Sequence, residues 1–481
     1  MTQLTQWKTS GWTRLLSLLM LMLMTGLSAV SANAPPNFVV ILADDCTFSD
    51  LACYGGQALT PRIDGLARQG MQMDHCFQAA PMCSPTRHAL YTGIYPVKSG
   101  AYPNHTFVKP ATKSVAHYLK AAGYRVALSG KTHINPPESF PFEYSKGSPP
   151  TGKKNNPSWP AIDKLMSECS QDGRPFCLFA CSNEPHTPYS LGDPSRYDLD
   201  KIELPPHYVD TPATRQAFRK YLAEISYFDG QVGRCLDLLA KHQLEDNTLV
   251  IMLSEQGSGF PFAKWTCYDA GLQSGMIVRW PGKVPAGSRS DAIVEYIDIV
   301  PTMLQLAGLK TPRTMDGESL HHVLSGQRKS HKHYSFGLQT SRGINNGPAH
   351  YGIRSVRSDR YRYILNLTPE VAFQNTMFTS NWWREWESLA ADGDKLARRI
   401  TERFQHRPAI ELYDCQRDPW NLTNLAGTPE LAATERTLAR QLNHWMQSQG
   451  DLGQQTELAA TSRQWGKRNQ LQRSQPKAAP R

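Results

Sequence analysis

The first informative stretch of the chain is an unbroken apolar run, "NFVVILADD" at residues 37–45, that stops at two carboxylates. Short apolar runs of this kind mark strands buried on both faces of a parallel sheet, with the acids emerging at the strand's carboxyl end. The pattern recurs in "YRVALSG" (124–130), "PFCLFACS" (175–182) and "NTLVIMLSEQG" (247–257). Between these runs the period turns helical. "TPRIDGLARQG" predicts a short helix with Pro61 near its start and Gly70 as its stop, and "TKSVAHYLKAAG" predicts another. The longest helix is predicted over about 213–241. Its apolar stripe is Phe218, Leu222, Ile225, Phe228, Val232, Cys235, Leu236 and Leu239, at spacings of mostly three and four. Alternating strands and helices predict an α/β sandwich around a large, mostly parallel sheet. In such sheets, sites collect outside the carboxyl ends of the strands.

Residues 136–160, "PPESFPFEYSKGSPPTGKKNNPSWP", break the rhythm and predict a long irregular excursion. Such a segment either borders a site or is a plain surface loop. After "TPRTMDGESLHHVLSGQ" the pattern changes again. "YGIRSVRSDRYRYILNL" (351–367) alternates like antiparallel strands, and a last helix is predicted near 428–448. The expected organisation is a main domain at 36–330 and a smaller C-terminal α+β subdomain at 331–455 with an antiparallel sheet. A basic, Gln- and Arg-rich tail at 456–481 is expected to be disordered.

The amino terminus changes the compartment. Lys8 and Arg14 precede the apolar run "LLSLLMLMLMTGL", and small residues follow in "SAVSANA". This is the pattern of an export signal spanning 1–32, with cleavage expected after Ala32, because cleavage after Ala34 would put Pro35 beside the scissile bond. The run is too short to span a bilayer comfortably, so no stable membrane insertion is expected after cleavage and the protein is expected in the periplasm or outside the cell. The leader and the tail hold two and five of the net ten positive charges, leaving about three for the body. That excludes a case for nucleic acid and mildly suits an anionic substrate. The ten cysteines show no zinc spacing, and no disulfide pairing follows from their positions.

The chemistry-bearing residues gather at the predicted strand ends. Asp44 and Asp45 form a dense negative charge that repels itself unless a cation is present, or else caps the next segment. Glu255 and Gln256 end another strand, so the two pairs could build an all-oxygen site of the sort Ca²⁺ or Mg²⁺ takes. Lys131 and His133 in "GKTH", His186 in "EPHTP" and Lys264 in "KWTCYDAG" each have an ordinary reading as a surface lysine or a core histidine. Together they would place cations around that site, a setting for a tetrahedral oxyanion such as sulfate or phosphate. Cys83, in "APMCSPTRHALYTG", reads on its own first as a buried thiol at a helix start, with a reactive group as the alternative.

The ordered set "PNFVVILADD", "CYGG", "CSPTRHALYTGIYP", "GKTH", "EPHTP", "SEQG", "RWPG" and "ELYDCQRDPWNLTNLA" strongly resembles the type I, formylglycine-dependent sulfatases from about residue 36 to 450. Its most specific element is Cys83-Ser84-Pro85-Thr86-Arg87 followed by "LYTG". Within that family "YPVKSGAYPNH" and "GKTHINPPESFPFEY" look closest to the sulfamidase branch, the N-sulfoglucosamine sulfohydrolases. The resemblance implies an alkaline-phosphatase-like fold, with 36–330 as the catalytic domain. It implies oxidation of Cys83 to formylglycine (3-oxoalanine) by a formylglycine-generating or anaerobic sulfatase-maturating enzyme. It also implies one divalent cation, Ca²⁺ with Mg²⁺ as the other candidate, held by Asp44, Asp45, Cys83, Glu255 and Gln256. Arg87, Lys131 and His133 would hold the aldehyde hydrate, which attacks sulfur and then collapses to release sulfate. His186 and Lys264 would grip sulfate oxygens and protonate the leaving atom.

Glu255–Gln256 departs from the family, which usually has Asp followed by Asn, Gln or His. The extra methylene requires the strand to retreat or the carboxylate to bind differently. His88, His105 and His350 are candidates to line a sugar subsite, His105 foremost. The expected substrate is a sulfated oligosaccharide or polysaccharide. Sugar identity, O- versus N-sulfate and exo versus endo action fall to loops such as 136–160 and 338–350. Two rival readings are a phosphoric mono- or diester hydrolase of the same superfamily and a non-catalytic protein that binds sulfated glycan with Cys83 left as a thiol.

Overall fold

The computed structural model of the chain describes residues 34–145 and 156–467. The expected leader and the middle of the 136–160 excursion lie outside the described residues. The described residues from Pro36 onward form one compact unit. Eight strands form its large sheet: β1 (Asn37–Leu42), β2 (Met71–Phe77), β3 (Arg125–Gly130), β4 (Glu143–Tyr144), β5 (Phe176–Cys181), β6 (Thr248–Leu253), β7 (Gln273–Arg279) and β8 (Ser288–Glu295). Their order is β4-β3-β5-β1-β6-β7-β2-β8. The five from β4 to β6 are all parallel, with Val39 of β1 paired to Leu178 of β5 and Val250 of β6. β7 runs antiparallel to β6 and β2, which makes the sheet mixed.

The unbroken apolar runs have a simple cause. Val39 and Ile41 point to one face of the sheet and Phe38, Val40 and Leu42 to the other, and both faces are covered. Helices α1 (Pro61–Gln69), α4 (Trp159–Asp172) and α5 (Pro212–Lys241) cover the first face. On the second lie α2 (Cys83–Thr92), α3 (Val115–Ala121) and α6 (Ile299–Leu306). The predicted stripe of the long helix is the buried face of α5, with Phe218, Leu222, Ile225, Phe228, Val232, Cys235 and Leu239 all in the core. Each such side chain contributes about 1.5–3 kcal/mol relative to exposure. β2, β7 and β8 carry no such signal: Asp74 and His75 interrupt β2, and the first half of β8 is polar and part-exposed.

A second, four-stranded antiparallel sheet has the order β12-β11-β10-β9, from β9 (Ser335–Gln339), β10 (Ile353–Arg357), β11 (Tyr361–Asn366) and β12 (Ile410–Asp414). α9 (Ala432–Gln449) packs Leu438, Leu442 and Trp445 on it. Between β11 and β12 stand α7 (Asn381–Ala391) and α8 (Lys395–Gln405), for which the sequence pattern offers no expectation. One expectation is corrected. Residues 456–467 are not a disordered tail, because α10 (Gln454–Ala459) and the 3₁₀ turns after it dock on the body, with Glu457 and Ala460 fully buried. All ten cysteines are free thiols. Among the described residues no helix is long and apolar enough to cross a membrane.

Candidate active site

Because β1, β3, β5 and β6 run in the same direction, the residues that follow them meet at one edge of the sheet. β1 delivers Asp44 and Asp45, β3 delivers Lys131 and His133, β5 leads to His186, and β6 delivers Glu255 and Gln256. Cys83 and Arg87 come from the first turns of α2, which is buried along its whole length. Pro85 is tolerated there because the first turn of a helix leaves its N–H groups without intrahelical partners. The helix ends at Gly93, whose φ of 69° is the left-handed cap conformation that favours glycine.

Asp44, Asp45 and Glu255 each bring a carboxylate oxygen within 4.8 Å of the others, and all three are buried. Cations surround them. Arg87 Nη2 lies 2.7 Å from Glu255 Oε1 and 3.8 Å from Asp44 Oδ1. Lys131 Nζ pairs with Asp44, and Lys264 Nζ lies 2.6 Å from Asp45 Oδ2. Gln256 Nε2 donates to Asp45 Oδ1 at 2.6 Å, which frees its carbonyl oxygen. Asp44 Oδ1, both Glu255 oxygens and Gln256 Oε1 are buried without a hydrogen-bond partner. Buried polar atoms left this way cost about 1–3 kcal/mol each, more when charged. Asp44 Oδ1 and Glu255 Oε1 meet Arg87 Nη2 as ion pairs, while Glu255 Oε2 and Gln256 Oε1 have neither hydrogen bond nor ion pair, and hard oxygens converging in this way fit a Ca²⁺- or Mg²⁺-type cation.

The departure at Glu255 is absorbed by the backbone. Glu255 leaves β6 with φ 61°, its N–H donates to the Tyr296 hydroxyl at 3.0 Å, and its longer side chain reaches Arg87. Asp45 (φ 67°), His105 (55°) and His133 (54°) share this left-handed conformation, which costs a side-chain-bearing residue about 1–3 kcal/mol. Four such residues around one cluster show that the surrounding packing holds the site in a conformation its sequence disfavours locally. Gly257 must be glycine for space, since a Cβ there would collide with the Ala270 carbonyl.

Cys83 Sγ lies 3.1 Å from His133 Nδ1 and 4.0 Å from Asn104 Oδ1. Burial raises its thiol pKa, and Lys131 and Lys264 only partly offset that. Burial and Lys131 hold His133 well below the usual imidazole range. The contact therefore joins a neutral thiol to a neutral imidazole, not a thiolate–imidazolium pair. Burial alone would raise Asp44, but Lys131 and the Glu255 carboxyl beside it hold it well below the carboxylate range; burial pushes Glu255 well above it, with Arg87 opposing. His186 Nε2 lies 3.5 Å from Asp45 Oδ2, and burial takes its pKa down to about 4.

Above this floor opens a cavity of about 490 Å³. Of the predicted catalytic and metal-holding residues, all except Asp44, Arg87, Glu255 and Gln256, which lie beneath, reach its lining, and so does His105. Two of the three subsite histidines do not. His88 is fully buried, with Nδ1 2.7 Å from the Ser84 carbonyl and Nε2 2.9 Å from the Asn135 N–H, so it ties α2 to the loop after β3. His350 sits outside the lining, 3.5 Å from Arg342. Of the two loops expected at the border, 338–350 contributes Gly343, Ile344 and Asn345 to the wall. No described residue of 136–160 lines the cavity; Asn156 instead accepts from the Asn183 N–H at 3.0 Å and braces that lining residue. Asn104 and the aromatic wall of Tyr189, Phe260 and Trp382 also line the cavity, and no sequence motif marks the aromatic wall. Asn104 stands next to His105 in "YPNH", and that neighbour is the signal it carries. Trp382 comes from α7, far away in sequence.

The family described as Sulfatase matches residues 36–309, and the C-terminal family of N-sulphoglucosamine sulphohydrolase matches residues 257–373. An ulvan-active sulfatase of Formosa agariphila is 32% identical over 88% of this chain and 82% of its own length. The human N-sulphoglucosamine sulphohydrolase is 26% identical over 85% of this chain and 90% of its own. Among solved structures, a protein in complex with its substrate D-glucosamine-2-N,6-O-disulfate superposes with a TM-score of 0.65 at 19% identity, covering 87% of this chain and 99% of that one.

Proposed function

The chain belongs to the sulfatase family, on the branch that shares a segment with N-sulphoglucosamine sulphohydrolase, and from that premise we propose how its own residues remove sulfate from a sulfated saccharide. The observation that carries the reading is the set of buried oxygens on Asp44, Glu255 and Gln256 that accept no hydrogen bond beneath Cys83, under a cavity whose floor carries Lys131, Lys264, His133 and His186. Cys83, oxidised to formylglycine by a maturating enzyme, supplies the nucleophile in this reading. Asp44, Asp45, Glu255 and Gln256, with residue 83, hold one Ca²⁺ or Mg²⁺, which when bound supplies positive charge that polarises sulfate oxygens.

The remaining work falls to the chain. Arg87 and Lys131 neutralise Glu255 and Asp44, so that the ligand set does not repel the incoming anion. Lys131 and His133 flank residue 83 and hold its oxygens once it is modified. Lys264 and His186, both reaching Asp45, bind the sulfate oxygens; the bound anion offsets the burial that keeps His186 neutral, so either group can bring a proton to the departing sugar oxygen or nitrogen. Each preorganised cation aimed at the transition-state charge is worth about 3–4 kcal/mol, by comparison with oxyanion-hole donors. The substrate is a sulfated oligosaccharide or polysaccharide met outside the cytoplasm after export.

The test is mass spectrometry of the peptide containing Cys83 from protein made in its own host, followed by sulfate release from sulfated saccharides with Ca²⁺ or EDTA. Conversion of thiol to aldehyde, with Ca²⁺-dependent sulfate release, is the expected result. An unmodified thiol in every molecule overturns the formylglycine reading and favours a glycan-binding one.

A further inference from the structure

The carboxyl-terminal segment 451–467 lies beyond both matched family spans, yet it touches two loops that wall the cavity. Glu457 of α10 is fully buried. Its Oε1 accepts from the Thr340 hydroxyl (2.8 Å), the Ser341 N–H (3.3 Å) and the Tyr351 N–H (3.2 Å). These donors stand at the two ends of the 341–350 loop, so one carboxylate cinches its base. The loop then hands its position to the site: the Arg342 carbonyl accepts from the Asn104 N–H at 3.0 Å, and the Gly343 carbonyl from Asn104 Nδ2 at 3.2 Å.

The second attachment is to the 99–107 stretch. Arg463 donates from Nε to the Gly100 carbonyl (2.7 Å) and from Nη2 to the Phe107 carbonyl (2.9 Å), while its own carbonyl accepts from the Thr106 hydroxyl at 2.8 Å. The Trp465 N–H donates to the His105 carbonyl at 2.7 Å, directly at a residue with φ 55°. A left-handed histidine held from outside its own loop is what a position needing external support looks like.

We propose that 451–467 is a strap that positions the cavity wall, with Glu457 and Arg463 as positioning residues for saccharide binding that act through Asn104, His105 and the 341–350 loop. The proposal rests on the reading of the cavity as the saccharide site. Glu457 and Arg463 touch neither the nucleophile nor the acidic cluster, so their loss falls on substrate affinity more than on the chemical step.

The test compares the wild-type protein with Glu457→Ala, Arg463→Ala and the conservative Glu457→Gln, which keeps an acceptor oxygen. Amide hydrogen exchange on the unliganded proteins is expected to rise about tenfold or more in 341–350 and 102–107 for both alanine variants, with β1, β5 and β6 unchanged and Glu457→Gln near wild type. With ulvan oligosaccharides as probe, KM is expected to rise about tenfold while kcat stays within about threefold. Exchange unchanged in those two segments, or raised equally across the large sheet, overturns the strap. A kcat loss matching the KM change overturns the assignment to positioning. A wild type that leaves the probe intact counts against the saccharide reading alone, since the exchange result still decides the strap.

Discussion

Arg87 Nη2 and Glu255 Oε1 meet at 2.7 Å with both side chains fully out of water. The pair joins the second turn of α2 to the end of β6, so the helix that carries Cys83 is pinned to the strand that carries the acidic cluster. Removing Arg87 takes away the cation that opposes the burial of Glu255 and leaves the carboxyl without its ion-pair partner. Arg87→Ala is therefore expected to cost about 3–5 kcal/mol of unfolding free energy. Urea unfolding in EDTA measures it, and a loss below about 1 kcal/mol would sink the argument.

The oxygens of Asp44, Glu255 and Gln256 that accept no hydrogen bond make a second prediction. A cation that binds only the folded chain stabilises it by mass action, about 4 kcal/mol at a thousandfold excess over Kd. Ca²⁺ should raise the thermal midpoint of the wild type above its value in EDTA and do far less for Asp45→Asn. Identical midpoints with Ca²⁺ and EDTA would refute a cation site.

Cys83 is 4% exposed and makes no strong bond that serine could not replace. Cys83→Ser should keep the thermal midpoint within about 2–4 °C of wild type, the shift of roughly 1 kcal/mol at this chain's size or less. Sulfate release should fall by about 10³-fold or more, as for loss of a nucleophile. Activity retained in the serine variant would point to another attacking group.

His207 predicts how stability follows pH. Burial, with Arg403 nearby, takes its pKa down to about 3; it is packed against Tyr208, Phe262 and Trp420. The folded state keeps it neutral, while the unfolded chain takes up a proton below about pH 6.5. Its contribution is thus present above pH 6.5 and is lost as pH falls toward 3, at roughly 1.4 kcal/mol per unit. Between pH 6.5 and 4.5 the wild type should lose about 2–3 kcal/mol more than His207→Phe in urea unfolding. Equal losses would mean that His207 does not titrate in this way.

Much of the sheet was legible because its central strands are covered on both faces. β1, β3, β5 and β6 had to be apolar throughout, and such runs are visible by eye. β2 and β8 were not, since each is broken by polar residues. The structural role of His88 is hidden in the sequence for a related reason. A histidine one residue after Arg87 is indistinguishable in sequence from a ligand-facing one, and only the Ser84 and Asn135 backbone bonds make it structural. The order of residues 456–467 is hidden by their polar composition, because Glu457 and Arg463 are bound by backbone groups more than a hundred residues away; the rest of the tail, 468–481, lies outside the described residues.

The sequence by itself determined the strand-end chemistry: which acids, lysines and histidines stand at the ends of apolar runs, and that a cysteine with Pro85 and Arg87 follows at a helix start. Parallel strands then bring those ends together, a consequence of direction alone. Tertiary structure decided what direction does not reach. It chose which histidines face the cavity, how Glu255 turns its extra methylene toward Arg87, and that Trp382, the 341–350 loop and the 451–467 segment form or brace the wall. Those choices depend on contacts between residues far apart in the chain and on backbone conformations that local preference opposes, and neither leaves a periodic trace in the sequence.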